Sequence, residues 1–150
     1  MKDKEQDTES FLRTLEEENG GPLEWRTYAF FIGASGDLNP RSLGGLIYVA
    51  AGKIAFEDFE RENSLMKLIG RKKTYEKFKI EAPLSSIEEL RSVSASGAKR
   101  VILGKDEARG LAIPSGIGKF VSRRTEAVIF RDGSAWFFEM YDREGLRQLL

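Results

Sequence analysis

Cysteine and histidine are both absent from this chain. Without cysteine there are no disulfides, no thiolate metal ligands and no thiol nucleophile. Without histidine the commonest general base near neutral pH and the commonest transition-metal ligand are also gone, which leaves carboxylates, Lys, Tyr, Ser and Thr for any chemistry. Gln and Asn are scarce against abundant Lys, Arg and Glu, a balance that resembles heat-adapted proteins. An excess of one charge is missing too: 24 Lys and Arg face 24 Asp and Glu. The overall field therefore draws the chain toward neither nucleic acid nor anionic lipid, and only local patches remain to do so. Long apolar runs are lacking as well. The densest, Leu43 to Ala51, is far short of the ~20 residues that span a bilayer, so the chain is expected not to cross a membrane. Met1 to Asp7 is charged and resembles neither a secretory signal nor a transit peptide, which predicts a cytoplasmic protein.

What is present suits one domain. A chain of 150 residues buries roughly two thirds or more of its unfolded surface and needs no covalent staple. Phe11, Leu12 and Leu15 fall on one side of a helix predicted over Asp7–Glu18, stopped by Asn19-Gly20-Gly21-Pro22. Leu23 to Tyr28 alternates as a half-exposed strand and runs into Ala29–Ile32, which reads as covered on both faces. Leu46–Ala50 and Ile54–Phe59 flank Ala51-Gly52-Lys53 as a tight hairpin. Glu76–Glu81 alternates again, with Phe78 and Ile80 on one face and Lys77 and Lys79 on the other. Pro83 to Val93 is ambiguous: Ser86 and Glu89 have capping-box spacing, whereas Leu90 and Val93 suit an extended run, and the reading adopted is a bend entering a strand. Arg100–Gly104 and Leu111–Pro114 read as short strands. The Asp132-Gly133 pair predicts a hairpin between Ala127–Phe130 and Ala135–Tyr141, with Trp136, Phe138 and Met140 on one face. Asp142 caps a final short helix, Tyr141 and Leu146 have the spacing of a hydrophobic staple, and Leu146, Leu149 and Leu150 form its apolar stripe. About seven short strands between two helices favour a small, mainly β barrel or sandwich over a parallel α/β sheet.

Three segments together resemble the pleckstrin-homology-like superfold, in particular its GRAM-type and bacterial members: Gly45–Val49 followed by Lys53–Phe56, then Ala82–Leu90, then Ile129–Phe138 with the terminal helix. The resemblance covers roughly Leu43 to Leu150. It implies a strongly bent antiparallel barrel of about seven strands over residues 23–150, capped by the C-terminal helix and preceded by a helical extension over residues 1–22. It also implies a binding role without catalysis. Two departures stand out. The expected basic phosphoinositide signature between the first two strands is reduced to Arg41, opposed by Asp37, and the final helix contains Gly145 and no tryptophan.

The densest basic cluster is Arg71, Lys72, Lys73, Lys77 and Lys79, which several closely spaced cations would make a candidate anion or lipid-headgroup patch. The competing reading is a solvated loop diluted by Glu76 and Glu81. Lys119 with Arg123 and Arg124 is a weaker patch. Gly116-Ile-Gly-Lys119 is not a phosphate loop, because Ile113 and Phe120 stand where Gly and Ser or Thr are required. Ser64 with Lys67 and Ser96 with Lys99 have Ser-x-x-Lys spacing but no companion motifs. Glu57, Asp58, Glu60 and Glu62 lack the loop pattern that calcium favours. The aromatics Phe30, Phe31, Tyr48, Phe56, Phe59, Trp136, Phe137 and Phe138 are expected in the core. These residues predict a non-catalytic module, without cofactor or metal, that contacts a protein partner or a second copy. An anionic-lipid or phosphate binder using Arg71 to Lys73 is the alternative, and a Ser/Lys or carboxylate hydrolase the third. The helix stripe of Phe11, Leu12 and Leu15 is expected to lie on the chain's own sheet.

Overall fold

The structure, a computed structural model, describes residues 2–58, 78–112 and 124–150, without the side chains of 2–7 and 124. Helix α1 spans Lys2–Asn19 and is followed by strands β1 (Leu23–Ala34), β2 (Leu43–Ala50), β3 (Lys53–Asp58) and β4 (Lys79–Pro83). One turn of 3-10 helix, Leu84–Ser86, leads to β5 (Ile87–Ser94) and α2 (Ala95–Ile102). Strands β6 (Arg124–Phe130) and β7 (Ala135–Met140) and the short helix α3 (Arg143–Leu149) complete the described elements. The seven strands form one sheet in the order β4-β3-β2-β1-β7-β6-β5, and every pairing is antiparallel. The mainly β architecture with a helix at each end is therefore as the sequence predicts, although the sheet is not closed into a barrel.

Its curl follows from one short connection. A flat seven-stranded sheet would hold its edge strands roughly 29 Å apart. Yet the two edges, β4 and β5, are joined by Leu84–Ser86 alone, a link of roughly 14 Å at full stretch. The sheet must roll until these edges meet at that corner. Three arginines fasten the surrounding loops: Arg131 donates to the Ser85 carbonyl (3.0 Å), Arg109 to the Arg131 carbonyl (2.7 Å), and Arg91 to the carbonyls of Arg109 (2.8 Å) and Leu111 (2.9 Å).

Rolling creates an inner and an outer face. Inside, Phe31, Phe56, Phe78 and Phe138 pack with ring centroids 5.1–6.3 Å apart, and Trp136 meets Phe130 edge-on at 4.7 Å. Such aromatic clusters combine large burial with favourable ring geometry. Outside, two helices cover separate areas. Helix α1 lies on Leu46, Tyr48, Ala50 and Ala55, with Leu15 buried among them. Helix α2 presents Ala98, Val101 and Ile102 to Ala127, Ile129, Ala135 and Phe137. The predicted placement of the Phe11–Leu15 stripe on the chain's own sheet holds.

Local signals explain most element ends. After α1, Gly20 has φ +73°, its amide reaches the Glu17 carbonyl, and the Gly21 amide reaches that of Glu16. This is the left-handed stop that glycine permits. The β2–β3 turn is two residues, Ala51 and Gly52, both at positive φ, as a type I′ hairpin requires. Asp132 and Gly133 turn β6 into β7, and the Asp132 carboxylate accepts the Ser134 amide at 2.8 Å. Asp142 caps α3 by accepting the Gly145 amide at 3.0 Å.

Several expectations are corrected. Arg100–Gly104 is no strand: Val101 and Ile102 end α2, a helix that Ser94 starts by accepting the Gly97 amide. The apolar spacing of Ala98, Val101 and Ile102 is helical once Ala98 is included, and the β-branched pair masks it locally. Leu111 and Ala112 are irregular, and Ile113 and Pro114 lie outside the described residues. Ala29–Ile32 is not covered on both faces, because alternation continues and Phe30 is 41% exposed. The Tyr141–Leu146 staple does not form. Tyr141 is 82% exposed, and it is Trp25 that packs under α3, donating its indole N–H to Asp142 at 3.2 Å. Of the closing leucines only Leu146 is buried in the inner core; Leu149 and Leu150 are exposed.

Candidate functional site

The outer face between the two helices carries the largest exposed aromatic surface among the described residues. Alternation along β1 sends Trp25, Thr27, Ala29 and Phe31 inward and Arg26, Tyr28 and Phe30 outward. Tyr28 is 55% exposed. Tyr141 continues β7 beside it, its amide donating to the Tyr28 carbonyl at 3.3 Å. Tyr28, Phe30 and Tyr141 thus form a strip on one face. Where α1 meets this strip, Thr8, Phe11 and Leu12 on the helix and Arg26, Thr27, Tyr28 and Leu46 on the strands line a half-open groove of about 470 Å³. Single exposed apolar residues are ordinary, whereas a contiguous exposed patch marks a contact surface.

A buried polar cluster lies beneath the other end of α1. Glu57 on β3 is 1% exposed and accepts the Tyr48 hydroxyl at 3.1 Å, while Lys79 Nζ stands 3.3 Å from the same carboxylate. Asn19, the last residue of α1, donates to the Tyr48 oxygen at 3.3 Å and to the Leu15 carbonyl at 2.7 Å. Burial pushes the Tyr48 phenol well above its ordinary range; the Asn19 hydrogen bond opposes this and the Glu57 charge adds to it. The cluster ties α1, β2, β3 and β4 together.

Another buried carboxylate, Glu126 on β6, anchors α3. The Ser92 hydroxyl reaches both its oxygens (2.8 and 2.9 Å), and Arg143 reaches it at 3.2 Å. A serine beside a carboxylate has the elements of nucleophile and base. Here the carboxylate is 3% exposed and held by a guanidinium, and neither residue lines any of the three cavities described here. Its chemistry is that of a buried ion pair. Sequence reasoning named Glu57 only as a member of an acidic run and missed Glu126, because an acidic residue inside a strand reads as solvent-facing; the lysine or arginine that accompanies each is distant in sequence.

Two further cavities are less suited to binding. A polar cleft of about 410 Å³ lies between α2, the 3-10 turn Ala108–Gly110 and the β6–β7 hairpin, with Asp106, Glu107, Arg109 and Asp132 on its walls. Asp132 there is held below the usual carboxylate range by hydrogen bonds from the Ser134 side chain and amide. A smaller apolar notch of about 360 Å³ opens beside Phe130 and Trp136 at the corner where the edges meet. No group of three or more metal-ligating side chains occurs among the described residues.

Of the basic cluster, Arg71, Lys72, Lys73 and Lys77 lie outside the described residues, and Lys79 is committed to Glu57, with Glu81 at 3.9 Å. Lys119, Arg123, Gly116, Ser64, Lys67, Phe59, Glu60 and Glu62 are also outside. Ser96 and Lys99 are both exposed on α2, where the Ser96 hydroxyl lies 3.3 Å from that of Ser94. Glu57 and Asp58 are buried, Asp58 accepting the Phe78 amide at 3.0 Å. Among the described residues no helix is long and apolar enough to cross a membrane. Comparison with protein-family models, with curated proteins and with solved structures finds no match to this chain.

Proposed function

We propose that this chain is a non-catalytic binding module of the pleckstrin-homology-like kind, acting in the cytoplasm through protein–protein contacts made by the outer face of its sheet. The observation that carries the reading is the strip of Tyr28, Phe30 and Tyr141 running into the groove beside α1. Aromatic side chains supply contact area with little entropy to lose, and they anchor interfaces when they cluster at the centre of a patch. The all-antiparallel strand order and the terminal helix that buries Leu146 support the kinship. The engagement of Lys79 by Glu57 weighs against the alternative of an anionic-lipid patch built on that residue.

The test is a variant with Tyr28→Ser, Phe30→Ser and Tyr141→Ser, compared with the wild type for partner capture from cells and for co-sedimentation with phosphatidylserine vesicles. Loss of captured partners at unchanged thermal stability is expected. Partner sets identical to wild type, or vesicle binding that accounts for all association, would refute the reading.

A further inference from the structure

The outward rows of β1 and β7 set a carboxylate among the exposed aromatics. Phe30 stands opposite Glu139 in the antiparallel register, and the same register continued sets Tyr28 opposite Tyr141, whose amide reaches the Tyr28 carbonyl. Phe138 and Met140 belong to the inner core, so alternation turns Glu139 and Tyr141 to the outer face. Directly opposed residues on one face have Cβ atoms ~5 Å apart. Tyr28, Phe30, Tyr141 and Glu139 therefore form one block with three aromatic corners and one acidic corner. Other acids covered within strands each have a cation: Glu57 has Lys79, Glu89 has Arg91 and Glu126 has Arg143. Glu139 is half-buried, yet it has no hydrogen-bond or ion-pair partner among the described residues.

We propose that this block receives a basic side chain of a protein partner, arginine ahead of lysine, with its cation on Glu139 and its body across Phe30, Tyr28 and Tyr141. This rests on the protein-contact reading of the strip and names the chemistry of its partner. A carboxylate partly withdrawn from water gains more from an arriving cation than one fully in solvent. The ring faces beside it attract the same cation, and a planar guanidinium can stack on a ring while its fork meets the carboxylate. Phe30 is already positioned for this. Its Cε1 lies 3.3 Å from where a Cβ on Gly44 would stand, so the ring rests on the bare backbone of β2, and Glu139 stands on the opposite side of β1. The described part of α1, which borders the strip, carries Glu9, Glu16, Glu17 and Glu18 against Arg13, a negative field that favours a basic partner. Arg26 lies two residues beyond Tyr28 in the same outward row, which places the incoming cation at the Glu139 end. Nothing in the fold has to move.

The test uses the full chain and labelled peptide pools of equal length, with randomised uncharged flanks around a central pair of arginines, lysines, glutamines or glutamates, read by fluorescence anisotropy. The expected order is arginine, then lysine, then glutamine, with glutamate weakest. Glu139→Gln should weaken the arginine pool by roughly fivefold, the loss of one partly exposed charge contact, and leave the melting temperature unchanged because no contact within the fold is lost. Glu139→Lys should reverse the order, so that the glutamate pool binds best; a merely structural role for Glu139 would not do this. The proposal is overturned if the arginine pool binds no better than the glutamine pool, or if both Glu139 variants bind it as the wild type does. It is also overturned if phosphatidylcholine vesicles, whose headgroup is likewise a cation, sediment the wild type and not Glu139→Gln while no peptide pool binds. If the peptide arm fails while the Tyr28, Phe30 and Tyr141 variant still loses its captured partners, the preference for a basic partner falls and the broader reading stands.

Discussion

Tyr48 is the residue whose environment has the clearest consequence in solution. It is 1% exposed, hydrogen-bonded to Glu57, and its phenol is raised from the ordinary value of 10.0. A raised value means the folded state keeps the proton where the unfolded state loses it. The stability this group confers is therefore complete below pH 10.0 and declines as pH rises through and beyond that value. Of the four tyrosines, Tyr48 should ionise only as the protein unfolds, visible as a late step in ultraviolet absorbance. Tyr48→Phe should remove that alkaline dependence while costing about 1–3 kcal/mol at neutral pH, since buried Glu57 loses a donor. Ala51 offers a change of opposite sign. It sits at φ +50° in the β2–β3 turn, a region that asparagine tolerates and alanine does not, so Ala51→Asn should stabilise by about 0.5–1 kcal/mol in denaturant melts.

At the scale of elements, α3 is held by two residues whose roles invert the usual rules. Glycine inside an exposed helix normally costs up to ~1 kcal/mol relative to alanine. A Cβ on Gly145, however, would lie 2.4 Å from the Asp142 carboxylate and 2.5 Å from the Trp25 indole nitrogen. Gly145→Ala should therefore destabilise, by about 1–3 kcal/mol, and shift Trp25 fluorescence as the indole loses its packing. Arg143→Met should cost about 2–3 kcal/mol, because it leaves the Glu126 carboxylate buried with Ser92 alone. Legibility also divides by element. Hairpins with explicit turn chemistry, at Gly52 and at Asp132-Gly133, could be read directly, and so could the Asp142 cap. Helix α2 could not, because the strand propensity of Val101 and Ile102 masks the Ser94 cap and the helical spacing of Ala98, which packing against Phe137 and Ile129 reinforces. The staple at Tyr141 was the natural local expectation; Trp25, more than a hundred residues earlier in the chain, takes its place, a contact no window of sequence contains.

For the whole molecule, one antiparallel sheet is rolled by the three-residue corner between β4 and β5 and clamped by arginines, with one helix closing an end and two covering separate parts of its outer face. Strand content and alternation announced the class of fold, because faces of opposite polarity are written in every second residue. The candidate surface was not announced. Phe30 follows Ala29 and precedes Phe31 and Ile32, so it reads as core, and only the pairing of β1 between β2 and β7 shows it turned outward, 41% exposed. The most direct measurement is in-cell photo-cross-linking from a reactive aromatic residue placed at position 30 or 141, with position 105 as control. Discrete protein adducts from 30 and 141, absent from 105, are predicted. Indistinguishable adducts from all three positions, or lipid adducts in place of protein, would contradict the outer face as the binding surface.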